Sequence, residues 1–281
     1  MISLAVTAFR EMSEAQLFGR RLQRCIQSAQ EHDAVSEIVI VDDGSDHFDK
    51  LEALLRDQAK VKLYRNQSRM GVFTNKVEAV LSATGEWVIT CDSDNAMGRQ
   101  YIDQVVAMEK NAEVWYCPSF ARPRFDYRRL VGEYDLRNLG SMLALPMAQC
   151  AINTGNQVVH RKSFARVFGK YRQVRRFDLL MPNYMEIPEA ERLKEGWWLG
   201  YGACDSFLLN LDWLLAGGRI KFMVGLEYDH YVCDSEPMRG NEGSDEYGSN
   251  YARAGEEKSL LNARLVELVQ AGKFREAQNH A

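Results

Sequence analysis

The order of apolar runs in the first half of the chain restricts its fold most. Residues 2–8, 37–41, 61–64, 86–91 and 114–117 are short and almost wholly apolar. Between them lie amphipathic stretches long enough for helices, at 13–31, 48–58, 72–83 and 99–110, with Ser13 as the expected N-cap of the first. Strands alternating with helices predict parallel βαβ units. Strands this uniformly apolar predict a sheet covered on both faces. The second half is less regular. A helix is expected over 205–216, closed by Gly217-Gly218, with strands at 220–224 and 228–232. Residues 238–249, rich in Gly, Asn, Asp and Glu, read as a mobile loop, and 256–270 as a final helix.

Composition excludes several classes. The 281 residues carry a net charge of −4 and are 46% hydrophobic, which argues against a disordered chain and against a dedicated nucleic-acid binder. The longest apolar candidate for a membrane span, 141–152, is too short and is broken by Pro146. The opening residues lack a basic leader and meet charge at Arg10 and Glu11, so they read as a buried strand rather than a signal peptide. Six cysteines without a CxxC pair fit reduced, buried side chains of a cytoplasmic protein. His160 is expected to be structural, and His32, His47 and His280 to lie on the surface.

Ligands of open α/β sheets bind beyond the carboxyl ends of the strands. Two acidic clusters fall there, Asp42/Asp43 and Asp92/Asp94. Carboxylates spaced i, i+2 after a buried strand can hold a divalent cation and leave positions open for phosphate oxygens. Taken alone, Asp-Ser-Asp-Asn is equally well turn chemistry.

Four blocks in order decide between these readings: Thr7-Ala8-Phe9-Arg10 after the opening strand; Ile38-Val39-Ile40-Val41-Asp42-Asp43-Gly44-Ser45; Asn66-Gln67-Ser68-Arg69-Met70-Gly71-Val72, continuing to Ala83-Thr84-Gly85-Glu86-Trp87-Val88; and Cys91-Asp92-Ser93-Asp94-Asn95. With them the chain resembles the inverting family-2 glycosyltransferases of the GT-A fold. A weaker continuation runs from Gly202-Ala203-Cys204-Asp205 to Asp229-His230.

The resemblance implies an α/β fold: one large domain with a GT-A, Rossmann-like, mixed and mostly parallel sheet flanked by helices. It divides into a donor-binding half (1–117), an acceptor-binding half with the catalytic base (118–235), and a loop with a C-terminal helix (236–281). By position, Thr7 and Phe9 would line the base pocket, and Asp42 or Asp43 would accept a hydrogen bond from the base. Arg69 would lie near the base or diphosphate. Asp92, Ser93 and Asp94 would hold ribose and metal, with Asp94 as the metal ligand and His230 as a further metal or diphosphate contact. Asp205 would be the general base, although Cys204 stands where many members carry Glu. Mn²⁺ or Mg²⁺ is the expected cofactor, and a nucleoside-diphosphate sugar, UDP-linked, the donor. The acceptor would be a saccharide or lipid-linked saccharide of surface polysaccharide assembly.

Further features carry weaker expectations. Arg69, Lys76 or a member of the basic run 161–176 could support the departing diphosphate. That run is either a solvated face or a contact with anionic lipid at the inner face of the membrane. Trp197-Trp198 would stack on an acceptor sugar or pack internally, and the acidic stretch 227–246 would close as a lid. A dinucleotide oxidoreductase is excluded, since no glycine-rich turn follows the first strand. A sugar-phosphate nucleotidyltransferase and an inactive nucleotide-sugar-binding protein remain as alternatives.

Overall fold

The computed structural model describes residues 1–8, 15–68, 70–93, 95–169, 205–230 and 263, with backbone alone for 15–21. The first βαβ units form as the apolar alternation predicts: β1 (Ile2–Ala8), α1 (Ala15–Gln30), β2 (Val35–Asp42), α2 (Phe48–Leu55), β3 (Val61–Arg65), α3 (Val72–Ser82) and β4 (Trp87–Asp92). Then come β5 (Asn95–Met97), α4 (Arg99–Ala107), β6 (Val114–Arg122), β7 (Phe125–Asp126) and β8 (Gly132–Tyr134). The described part ends with α5 (Leu139–Leu143), α6 (Ala148–Ala151), β9 (Val158–His160), α7 (Arg161–Phe168), α8 (Asp205–Leu215) and β10 (Arg219–His230).

These strands make one ten-stranded sheet in the order β3-β2-β1-β4-β9-β6-β10-β5, with β7 beside β6 and β8 beside β10. The pairs β2–β3, β1–β2, β1–β4 and β6–β10 are parallel. β9 is antiparallel to both β4 and β6, so β6 and β10 run in the same direction as β1. The sheet is therefore mixed and mostly parallel. Nearly every residue of β1 and β2 is buried, as a sheet covered on both faces requires. On that sheet α1 packs with α4, while α3, α7 and α8 form a second group.

The chain leaves β1 toward β2 on one side and returns from β3 to β4 on the other. Strand order thus reverses between β1 and β4, and a crevice opens at their carboxyl ends. Thr7 lies opposite Asp92 across that junction, and Ala8 lies opposite Asp42.

An aromatic cluster fixes the second helix group. Trp115 of β6 stacks on Trp213 of α8 at 4.9 Å between ring centres and on Phe164 of α7 at 5.6 Å. Phe164 contacts Phe168, which meets Phe73 of α3 edge-on. Such ring pairs add about 1 kcal/mol each beyond their buried area. They lock α3, α7 and α8 together at one angle.

Several expectations need correction. The two strands expected at 220–224 and 228–232 are one strand, β10, through residue 230. Gly225, with φ +90°, lets it bulge without breaking, and the register with β6 shifts between Met223 and Glu227. His32 is buried rather than on the surface, bonding Asp103 of α4 at 2.9 Å. Only the first half of the basic run is described, and there it forms α7, with Phe164 and Phe168 inward and Arg166 paired to Glu113 at 2.5 Å. The first part of 141–152 folds as α5 and the last as α6, and no described helix is long and apolar enough to cross a membrane. Cys25, Cys91, Cys117 and Cys150 are free, and the first three are buried. Ser13, Trp197, Trp198, Cys204, Cys233, His280 and the stretches 231–250 and 256–262 lie outside the described residues.

At the amino end of the sheet, away from the crevice, Glu37 ties three strands together. Its carboxylate accepts from the hydroxyls of Ser3 and Thr84, from the Thr84 amide and from the Lys62 ammonium, at 2.5 to 2.9 Å. Burial pushes its pKa upward, but Lys62 and these donors outweigh burial and hold it at about 2. The folded value lies below the unfolded one. Its contribution to stability is therefore complete above the ordinary carboxylate range and disappears as pH falls toward 2. Glu37→Gln is expected to lose about 2 kcal/mol of unfolding free energy at pH 7. Urea unfolding should show that deficit shrinking between pH 5 and pH 3; a deficit independent of pH would refute the role of the charge.

Candidate active site

Two pairs of carboxylates stand at the carboxyl ends of the strands, and their surroundings differ. Asp42 and Asp43, at the end of β2, are 0% and 2% exposed. Asp42 accepts from the Ser45 amide at 2.7 Å and from the Ser45 hydroxyl. Asp43 accepts from Asn66 Nδ2 at 3.0 Å and from the amides of Met70 and Gly71 at 2.7 and 2.9 Å. Gly71 is the N-cap position of α3, so Asp43 satisfies amides that the helix itself leaves unpaired. Asn75, one turn into α3, donates to the carbonyls of Ala8 and Val41. These bonds aim α3 at the crevice and carry the next residue, Lys76, into it.

Lys76 joins the second pair. Its Nζ lies 2.8 Å from Asp92 Oδ1, 2.7 Å from Asp205 Oδ2 and 2.8 Å from the Ser206 hydroxyl. The Ser206 contact is a hydrogen bond, and the two carboxylate contacts are ion pairs. Ser206 in turn donates to Asp205 Oδ2 at 2.9 Å. Lys76 is 7% exposed. Burial works against its charge, but Asp205 and Asp92 outweigh burial and hold the ammonium well above the ordinary lysine range. The group is charged at every physiological pH.

Residues 153–157 place both carboxylates. The Asp92 amide donates to Asn156 Oδ1 at 3.0 Å, and the Thr90 hydroxyl donates to the Gly155 carbonyl at 2.6 Å. From the same loop, Asn153 Oδ1 accepts from the Phe207 amide at 2.9 Å, in the first turn of α8, and Gln157 donates to Asn210 of α8 at 2.7 Å. One loop thus clamps the end of β4 and the start of α8. Gly155 is required there. A Cβ at this position would overlap Lys76 Nζ and the Ser206 hydroxyl.

On the far side, His230 ends β10. Its Nδ1 lies 2.8 Å from Asn95 Oδ1, an acceptor, so Nδ1 carries the proton and Nε2 keeps a lone pair. Burial lowers its pKa, and the nearby Asp92 charge pulls the other way without reversing the shift. The ring is neutral at pH 7. Phe125 packs edge-on against it at 5.1 Å.

Of the residues singled out in the sequence, Thr7, Asp42, Asp43, Asp92, Asp205 and His230 all lie at this end of the sheet, and Ser93 follows β4 there. Phe9, Arg69 and Asp94 lie outside the described residues. No group of three or more His, Cys, Asp or Glu side chains converges among the described residues. Sequence reasoning missed the 153–157 clamp, Ser206 and Asn75, and treated Lys76 as one option among several. Asn153-Thr154-Gly155-Asn156-Gln157 between apolar stretches marks a loop, but nothing in it says what the loop holds.

The glycosyl transferase family 2 sequence model matches residues 3–172. No curated protein matches the chain significantly. Among solved structures, the mannosyltransferase PcManGT from Pyrobaculum calidifontis, in complex with GDP-Man and Mn²⁺, is 16% identical with a TM-score of 0.53 over 96% of this chain and 75% of that one. S. aureus TarS is 14% identical, TM-score 0.51, over 91% of this chain and 43% of its own. TarS 1-349 in complex with UDP-GlcNAc is 16% identical, TM-score 0.50, over 81% and 57%. At this identity the likeness is one of fold, and the chain spans less than half of the longer TarS chain.

Asp43→Ala removes the acceptor for Asn66 and for the amides of Met70 and Gly71. A loss of about 2 kcal/mol in urea unfolding is expected, together with faster hydrogen exchange at residues 70 and 71. Unchanged exchange there would show that Asp43 does not hold this turn.

Proposed function

Because the chain belongs to glycosyl transferase family 2, we propose that it transfers a sugar with inversion from a nucleoside-diphosphate donor, UDP-linked, to a hydroxyl of a saccharide or lipid-linked saccharide. The observation that carries this reading is the meeting of Asp92, at the switch point of the sheet, with Asp205 through the single ammonium of Lys76. A carboxylate on the donor side and one on the acceptor side stand within reach of one another. Inverting displacement needs one general base and no covalent nucleophile.

In this mechanism Thr7, Phe9, Arg69, Asp92 and Ser93 bind the donor, and the turn of Asp42 and Asp43 receives the base. Asp43 already accepts three hydrogen bonds and Asp42 two, both from Ser45, so Asp42 has the greater capacity left. Asp205 takes the proton of the acceptor hydroxyl as its oxygen attacks the anomeric carbon. The bond from that carbon to the diphosphate breaks, and the nucleoside diphosphate leaves with the electron pair. A positioned general base contributes about 10² to 10⁴ in rate.

Asp94 and His230 would hold Mn²⁺ or Mg²⁺. The donor chemistry fits: His230 is neutral, its Nδ1 is committed to Asn95 and its Nε2 remains available. When bound, such an ion supplies Lewis-acid neutralisation of the diphosphate. The acceptor half extends from residue 118, and the basic run 161–176 would meet anionic lipid at the cytoplasmic face if the acceptor is lipid-linked. A role in surface polysaccharide assembly belongs to the same proposal.

The test is donor turnover by the purified chain with Mn²⁺ across a panel of UDP- and GDP-sugars. Hydrolysis or transfer of at least one is expected, and failure with all of them would overturn the reading. Asp205→Asn is expected to cut transfer by about 10² to 10⁴ while UDP–Mn²⁺ binding in calorimetry persists. Full transfer by that variant would remove Asp205 from the base role. Asp92→Ala is expected to weaken UDP–Mn²⁺ binding, and unchanged affinity would move the donor site elsewhere.

A further inference from the structure

Each carboxylate of the Lys76 bridge gives up one oxygen and keeps the other. Asp92 engages Lys76 through Oδ1, while Asp205 engages both Lys76 and Ser206 through Oδ2. Asp92 Oδ2 and Asp205 Oδ1 are the oxygens left outside these nearest contacts, and Asp92 Oδ2 would lie 3.4 Å from a Cβ at Gly155. We propose that Lys76 is a positioning residue that selects which oxygen each carboxylate presents: Asp92 Oδ2 to the donor and Asp205 Oδ1 to the acceptor hydroxyl. The inference rests on the glycosyltransferase reading and adds a coupling between its two halves.

Several features support it. A carboxylate on a free χ2 would present either oxygen, and one anchored on a single oxygen presents the other. The anchor itself cannot wander. The ammonium is bonded to Ser206 and paired with two carboxylates, the side chain is buried, and the Gly155 backbone closes in where a Cβ would collide with Nζ. Both ends of the bridge are held by the same loop, through Asn156 to Asp92 and through Asn153 to α8. Lys76 faces the two carboxylates and Ser206, rather than standing in an open pocket as a phosphate-binding lysine would. Misplacing a reacting group by about 1 Å can cost about 100-fold in rate.

The experiment measures kcat with whichever nucleotide sugar the wild-type chain turns over, and Kd for UDP–Mn²⁺ by calorimetry. Lys76→Ala removes the anchor. Gly155→Ala keeps every ionisable group and displaces the ammonium together with the Ser206 hydroxyl that bonds it. Both are expected to lower kcat by about 100-fold with a rise in Kd no larger than that of Asp92→Ala, and propylammonium is expected to restore part of the activity of Lys76→Ala. Thermal melting monitors folding; if Lys76→Ala is unfolded, Gly155→Ala decides. With an active wild type, a retained kcat overturns this inference alone. A rise in Kd larger than that of Asp92→Ala with kcat unchanged also overturns it, because Lys76 would then be a direct diphosphate contact. A wild type that neither turns over a nucleotide sugar nor binds UDP or GDP overturns the glycosyltransferase reading, and this inference with it.

Discussion

A buried ammonium must be compensated, and here the compensation organises the crevice. The buried Lys76 stays charged because Asp92 and Asp205 stand beside it, and the buried Asp205 carboxylate is compensated in turn by the ammonium. Breaking one partner of such a pair typically costs about 3–5 kcal/mol, because the remaining charge is stranded. Two segments separated by more than a hundred residues in sequence are thereby tied together at one point. The aromatic cluster and the 153–157 loop serve this arrangement. The cluster sets the angle of α8 against α3, and the loop sets where α8 begins.

The sheet supplies the rest. Its strand order reverses between β1 and β4, the position at which open α/β sheets bind ligands beyond the carboxyl ends. The backbone groups exposed there are taken up by side chains of specific length. Asn75 spans two carbonyls on neighbouring strands, and Asp43 reaches the amides before α3. The polar residues at this end therefore divide between those that finish the secondary structure and those that keep unused capacity.

That division explains what could be read in advance. Strands and helices of the first half were legible because continuous apolar runs and period-3.6 burial write themselves into consecutive residues. Asp92 and Asp205 were legible because their neighbours form short motifs. Lys76 was only weakly so. Its importance comes from Ser206, 130 positions away, and from a glycine that lets the backbone approach. Nothing local distinguishes it from a lysine on the exposed face of a helix. The strand β9 was illegible for a similar reason: its three residues pair with β4 and one of them, Val158, also with β6, and that pairing is set by tertiary position rather than by pattern. His32 was misjudged because its partner, Asp103, lies on a helix whose placement next to α1 no single segment reveals.

The two acidic pairs show how environment separates residues of one chemical type. Five donors, all from the chain, close on Asp42 and Asp43. Carboxylates satisfied in this way are rigid and build the turn that they sit in. Asp92 and Asp205 share one cation instead, and each retains an oxygen. A carboxylate that is half satisfied, fixed in direction and next to a crevice is poised to act on something that enters it. Full satisfaction would stabilise the pair further and leave nothing for a ligand. Leaving the buried Asp205 unpaired would be too costly. One lysine between two aspartates lies between those limits, and it brings two acids separated in sequence to one end of the sheet.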